Sequence, residues 1–228
     1  KTIMKLKKGL AFAAALMMTV SMAACGESGG TSSAAQSAAH STASSAATSG
    51  ATSSSAASGA ASTSVQGLKQ PIAEQPILLT SVGQSADVEM VKTLFKKINI
   101  DPTTDHLATA DSIGNAKTLV LAIGGSSKGL GAAGIDADQE LARVAKLVDA
   151  AKAKGLKIIA MHTGGQTRRG ELSDKFIKPA FDKADYAIVV ADGDKDGLMK
   201  GLAASESIPM DTVDKITDVP DVLKAAFK

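Results

Sequence analysis

The chain has 228 residues, 44% hydrophobic but only 3% aromatic, with one cysteine and a formal charge of +2. A single cysteine excludes an internal disulfide framework, and a near-neutral charge excludes nucleic acid or a strongly anionic surface as the main partner. With so few aromatics, any folded core must be built from Val, Ile, Leu, Met and Ala.

The first segment is "KTIMKLKKGLAFAAALMMTVSMAAC". Lys1, Lys5, Lys7 and Lys8 make a basic start, and residues 9–24 are small and apolar without a charge. That apolar run is too short to span a bilayer comfortably, so residues 1–24 read as a secretory signal to be set aside from the fold. Their removal takes away four lysines and no acid, so the +2 of the whole chain becomes −2. "MAAC" resembles a bacterial lipobox, with Met22 where Leu is usual. The resemblance implies that Cys25 is lipidated and becomes the new N-terminus. Two acyl chains suffice for stable attachment, so the expected location is the extracytoplasmic face of the cell membrane, lipid-anchored.

Residues 25–65 follow the lipobox as Ser, Ala, Thr and Gly with almost no apolar bulk. Such a composition cannot offset its ordering entropy, so a flexible tether is expected, with a reach of roughly 35 Å for about 40 residues. His40 lies in it and is expected to be solvated. Residues 66–228 are then one domain's worth of chain.

In that domain the first apolar run is "PILLTSV" (76–82), followed by "ADVEMVKTLFKKI", whose Val88, Val91, Leu94, Phe95 and Ile98 form one helical stripe. A weak run, "DHLATA" (105–110), precedes the strong "TLVLAI" (118–123). "DADQELARVAKLVDAAKAKG" has an Asp start, a Leu141/Val144/Leu147/Val148 stripe and Gly155 as its stop. "LKIIAMH" (156–162) leads to "GELSDKFIKPAFDKA", a helix that Pro179 should kink or end. "DYAIVVA" (185–191), "DGLMKGLAASES", "IPMDTV" (208–213) and "VPDVLKAAFK" complete the chain. The middle strands lack alternation, as expected when both faces are buried. Alternating strands and helices predict an α/β three-layer αβα sandwich, with a mainly parallel, doubly wound, flavodoxin-like or Rossmann-like sheet of about five strands.

Ligands of such sheets bind beyond the carboxyl ends of the strands. The loops there are polar or rich in Gly: "SVGQSAD" (81–87), "GGSSKGLGAAGID" (124–136), "HTGGQTRRG" (162–170) and "DGDKDG" (192–197). Glycines permit close backbone approach, and N–H groups at a helix start can cradle an anion. The candidate ligand-binding residues are therefore Gly83, Gln84 and Ser85; Gly124, Gly125, Ser126, Ser127, Lys128 and Gly129; and His162, Thr163, Gly164, Gly165, Arg168 and Arg169. Either arginine offers a planar fork for a carboxylate or phosphate. The competing bland readings are a glycine loop that merely packs against a neighbour, a solvated or Glu171/Asp174-paired Arg, and a His162 that is only a satisfied polar group.

Familiar motifs nearly match and fail. "GLGAAG" fits G-x-G-x-x-G, a weak signal alone. "GGSSKGLG" is similar to the cofactor loop of short-chain dehydrogenases, but follows a later strand and lacks the Tyr-x-x-x-Lys pair. The Walker pattern fails because Leu130 follows Gly129. Ser85, Ser126 or Ser127 with His162 and Asp87 or Asp192 would be needed for a hydrolase, yet no G-x-S-x-G elbow exists. "DGDKDG" starts like a calcium loop but has Ala203 at the twelfth position, so its acids are expected to cap the next helix. No cofactor and no metal are called for.

"TSVGQSAD", "GGSSKGLGAAGID", "MHTGGQTRRG" and "SDKF", in this order, resemble an uncharacterised domain family of exported bacterial lipoproteins across residues 74–228. The resemblance implies an extracytoplasmic α/β domain and no particular chemistry. The leading expectation is a membrane-anchored module that binds a small anionic solute, carboxylate or phosphate, and serves a transport system. Two alternatives stay open: an extracytoplasmic hydrolase using His162, and a non-catalytic protein-interaction domain.

Overall fold

The computed structural model describes residues 65–228. The expected signal, the expected lipidation of Cys25 and the expected tether, with His40, lie outside the described residues. Six strands form one sheet: β1 (Ile77–Val82), β2 (Thr103–Thr104), β3 (Thr118–Ile123), β4 (Lys157–His162), β5 (Tyr186–Val190) and β6 (Met210–Val213). Every pairing is parallel, in the order β2-β1-β3-β4-β5-β6. The helices are α1 (Asp87–Lys97), α2 (Ser127–Ala133), α3 (Ala137–Ala153), α4 (Glu171–Asp174), α5 (Ile177–Phe181), α6 (Leu198–Ser205) and α7 (Val219–Ala226). This is the expected three-layer sandwich. No helix among the described residues is long and apolar enough to cross a membrane.

All residues of β1, β3 and β5 are buried, because apolar helices cover both faces. On one face Leu119, Leu121, Ile158 and Ala160 meet Val144, Leu147, Ile177 and Phe181 of α3 and α5. On the other, Val120, Ile159 and Met161 meet Val91, Phe95, Val219 and Leu223 of α1 and α7. Phe95 and Phe227 close that layer edge to face, with ring centroids 5.8 Å apart.

Local chemistry sets the ends. Asp136 accepts from the Gln139 N–H at 2.7 Å while the Gln139 side chain accepts from the Asp136 N–H at 3.0 Å, a reciprocal cap for α3. Gly155, with φ +75°, stops that helix in a left-handed turn. The anticipated helix around Pro179 is two pieces, α4 and α5, that separate at Lys175 and Phe176. A proline ring excludes the carbonyl four residues back, here that of Lys175.

The sixth strand corrects the reading of "DHLATA". Residues 103–104 pair with β1, Leu78 opposite Thr103 and Leu79 opposite Thr104. Residues 105–110 turn instead, because the Asp105 carboxylate accepts from the Leu107 N–H at 3.0 Å and from the Ser112 hydroxyl at 2.7 Å.

The segment ahead of β1 is stitched to the sheet edge and to α7. The Met210 N–H donates to the Gln66 carbonyl at 3.0 Å, and the Leu68 N–H donates to the Asp211 carboxylate at 3.1 Å. The Ile72 and Ala73 N–H groups both donate to the Ala226 carbonyl, at 3.0 and 2.9 Å, and the Lys228 N–H donates to the Ala73 carbonyl at 3.1 Å.

Candidate functional site

β1 and β3 are neighbours, yet the chain leaves them toward opposite faces, α1 on one and α2–α3 on the other. The crevice of a doubly wound sheet belongs between their carboxyl ends. Here the chain fills that crevice itself. Gly83 (φ +100°) and Gln84 (φ +57°) turn the backbone through the left-handed region, and Gln84 forms an antiparallel bridge with Gly125. A Cβ on Gly129 would stand 1.8 Å from the Gln84 carbonyl oxygen, and one on Gly83 would stand 2.5 Å from that of Gly124. These glycines let two loops touch.

Four N–H groups of the glycine loop are already engaged. Gly124 donates to Val82 and Ser126 to Gly83, both at 2.9 Å. Gly125 donates to the Ser173 hydroxyl and Gly129 to the Ser126 hydroxyl, both at 3.0 Å. Ser126 is thereby the cap of α2, while Ser127 and Lys128 stand exposed on its first turn.

Gln84 faces inward. Its amide donates to the His106 carbonyl at 2.8 Å and to the Glu140 carboxylate at 3.1 Å, and the same carboxylate accepts from the Gly83 N–H at 2.9 Å. Glu140 is fully buried on α3. Arg143 meets it with two 2.8 Å hydrogen bonds and also donates to the Ser81 carbonyl at 2.6 Å and the Ala108 carbonyl at 2.7 Å. Burial alone would raise the Glu140 carboxyl. The hydrogen bonds from Arg143, Gly83 and Gln84, with the Arg143 charge, outweigh it and hold the group below the usual carboxylate range. Neither Glu140 nor Arg143 was expected from the loops.

The second cluster joins the ends of β1, β3 and β4. The Ser85 hydroxyl donates to Asp87 at 2.8 Å, and Arg168 Nε donates to the same carboxylate oxygen at 2.7 Å. A Cβ on Gly124 would lie 2.4 Å from that oxygen, so glycine is required beside it. Gly164 makes room in the same way for the Arg168 stem, its added Cβ falling 2.1 Å from Cγ.

His162 is sealed at the end of β4. Its Nε2 lies 3.1 Å from the Arg168 carbonyl, which can only accept, so Nε2 carries the proton. Nδ1 has no partner among the described residues, and Gly193 covers it: a Cβ there would stand 2.8 Å away. Burial keeps the imidazole pKa below its ordinary value. Ser85 is committed to Asp87, and Ser126 to Gly129. None of the three serines hydrogen-bonds His162, so a nucleophile–base contact is missing from the alternative hydrolase.

Two adjacent arginines have different fates. The Arg169 side chain, only 7% exposed, is consumed by a clasp. It donates from Nε to Asp174 at 2.8 Å, and from Nη1 and Nη2 to Asp196 at 2.9 and 2.7 Å, with the Gly193 carbonyl at 2.7 Å. Arg168 is 34% exposed, and only its Nε is used; its two terminal nitrogens donate to no described residue. The acids of "DGDKDG" are likewise employed locally. Asp194 caps α6, accepting from the N–H groups of Met199 and Lys200 at 2.7 and 2.9 Å.

A cavity of about 510 Å³ opens at the ends of β4, β5 and β6. Of the anticipated residues, Thr163, Gly164, Gly165 and Arg168 line it. Gly83, Gln84, Ser85, the 124–129 loop, His162 and Arg169, also anticipated, do not line it. Thr163 is 3% exposed and its hydroxyl has no partner among the described residues. Met90, Val190 and Ile216 supply an apolar wall that the loops did not advertise. A second cavity, about 460 Å³, lies beside the amino end of β6, between residues 65–72 and 203–209, with Lys69 as its single charged residue.

Solved structures with some likeness include a GDSL-like lipase from Bacteroides thetaiotaomicron, 14% identical, covering 64% of this chain and 72% of the lipase at a TM-score of 0.29. Another is the psychrotrophic esterase EstA from Pseudoalteromonas, 10% identical, covering 64% of this chain and 90% of the esterase at a TM-score of 0.29. Identities and scores this low leave the chemistry to the chain's own residues. No curated protein matches the chain. Residues 74–227 match a domain of unknown function, DUF6305, over the whole sheet and all seven helices, and the chain belongs to that family.

Proposed function

We propose that this domain is a binding module that holds a small anionic ligand in the cavity at the β4–β6 ends, on a chain anchored through lipidated Cys25 at the extracytoplasmic face of the cell membrane. A transport system is the partner such a module would serve. The observation that carries the reading is the state of Arg168. Asp87 fixes its Nε, the stem lies on Gly164, and both terminal nitrogens are left to donate into the cavity. A guanidinium held on one side and open on the other is a two-point receptor for a carboxylate or phosphate. The buried Thr163 hydroxyl supplies a further hydrogen-bonding group beside it.

The test is thermal unfolding of the full chain against small carboxylates and inorganic phosphate. A ligand at about 100 times its dissociation constant adds about 2.7 kcal/mol, or roughly 5–11 °C in a domain of this size. Arg168→Gln should remove the shift while Arg168→Lys weakens it. A shift that survives Arg168→Gln overturns this site. For the anchor, Cys25→Ala should move the protein from the membrane fraction to the soluble one.

A further inference from the structure

We infer that the ligand is a small zwitterion of amino-acid type with an apolar side chain, bound by its carboxylate to Arg168 and by its ammonium to Asp214. This rests on the proposed role of the cavity as the binding site.

The charges around the cavity favour a neutral molecule with two poles. Asp87, Asp192 and Asp214 line it, with Arg168 and Lys215. Lys195, which pairs with Asp192 at 2.5 Å, brings the local sum to zero. Asp87 is engaged by Arg168 and Ser85, and Asp192 by Lys195 and the Gln166 N–H at 2.9 Å. Asp214 is exposed and has no hydrogen bond or ion pair among the described residues. The Lys215 ammonium beside it has no ion pair among the described residues either, so the cavity presents an open donor fork, an open ammonium and an open carboxylate. A lone anion, phosphate or simple carboxylate, could use the cations but would leave the Asp214 carboxylate without a partner. A zwitterion engages both.

The remaining wall selects the body of the ligand. Met90 is 45% exposed. With Val190 and Ile216 it makes an apolar face on the same cavity. A flexible thioether adapts to irregular aliphatic shapes, so a branched or straight aliphatic side chain is the natural occupant. The unpartnered, buried Thr163 hydroxyl lies on this cavity too and can bond the ligand's carboxylate. The volume, about 510 Å³, is within the ordinary range for small-molecule sites.

The experiment is calorimetric titration of the full chain, in detergent, with L-leucine, 4-methylpentanoate, 3-methylbutylamine and inorganic phosphate. Leucine should bind at least tenfold more tightly than the acid that lacks its amine and than the amine that lacks its carboxylate. Asp214→Asn should bring the ratio of leucine to 4-methylpentanoate affinity close to one. Binding of 4-methylpentanoate or phosphate as tightly as leucine, lost in Arg168→Gln, would overturn the zwitterion while leaving the anion site in place. Absence of heat with all four would overturn both.

Discussion

Removing the Glu140 side chain should be among the most damaging single changes in the domain. Glu140→Ala takes away the acceptor for the Gly83 N–H, the Gln84 amide and two Arg143 nitrogens. It also leaves the Arg143 guanidinium, 11% exposed, without its counter-charge. Breaking a buried pair from one side costs about 3–5 kcal/mol, against total stabilities of roughly 5–15 kcal/mol for single domains. At about 2–4 °C per kcal/mol for this size, the melting temperature should fall by roughly 6–20 °C. Urea unfolding followed by circular dichroism measures the loss. The companion Arg143→Ala and the double variant complete a cycle, in which the double loss should lie well below the sum of the single ones, by about 2 kcal/mol. A Glu140→Ala loss under about 1 kcal/mol, or strict additivity, would refute the account of this pair. The folded-state pKa of Glu140 is depressed, so its contribution is present above the ordinary value of 4.5 and is lost as the pH falls below it. Acidification should therefore cost the native chain more than Glu140→Ala.

The remaining predictions concern loops and the sealed histidine. Gly129→Ala should destabilise by more than about 1–3 kcal/mol, because its Cβ would collide with backbone; Gly131→Ala, with nothing within 4 Å and inside α2, should stabilise by about 0.5–1 kcal/mol. Equal effects in chemical denaturation would discard the packing role of Gly129. Burial depresses the His162 pKa, so its neutral form contributes stability above pH 6.5 that is lost as the pH falls. His162→Gln should flatten the melting temperature between pH 6.5 and 5, and an unchanged slope would contradict this. The Asp196 carboxyl is drawn down to about 2 chiefly by the hydrogen bonds from Arg169. Arg169→Lys should accordingly lower the melting temperature more than Arg168→Lys; the reverse order would mean that the clasp is slack.

The frame of this fold is written locally. The Asp136 start, the Gly155 stop and the apolar runs of β3 and β5 each act within a few residues, so they can be read in sequence. The glycine loop cannot. A glycine needed for a ligand and one needed for a neighbouring backbone look alike, and the neighbour of Gly129 is Gln84, far back along the chain. Arg168 and Arg169 are adjacent in sequence yet diverge because Asp87 comes from α1, whereas Asp174 and Asp196 come from α4 and the loop before α6. Glu140 did leave a signal. It stands at i, with Val144 at i+4, Leu147 at i+7 and Ala151 at i+11, so a carboxylate sits on the buried stripe of α3. Such a group must find its charge and hydrogen bonds inside the protein, and Arg143, one turn away, was the partner at hand.

The stitching ahead of β1 has a mechanical consequence. Tension applied along the chain before Val65 reaches the Gln66–Met210 and Leu68–Asp211 hydrogen bonds first, and the Ile72 and Ala73 bonds to Ala226 next. These are few and lie at the margin of the sheet. Peeling this seam would bare the outer edge of β6, whose following residues, Asp214, Lys215 and Ile216, form one side of the cavity. A pull on the leading segment would thus reach the strand that leads into one side of the cavity.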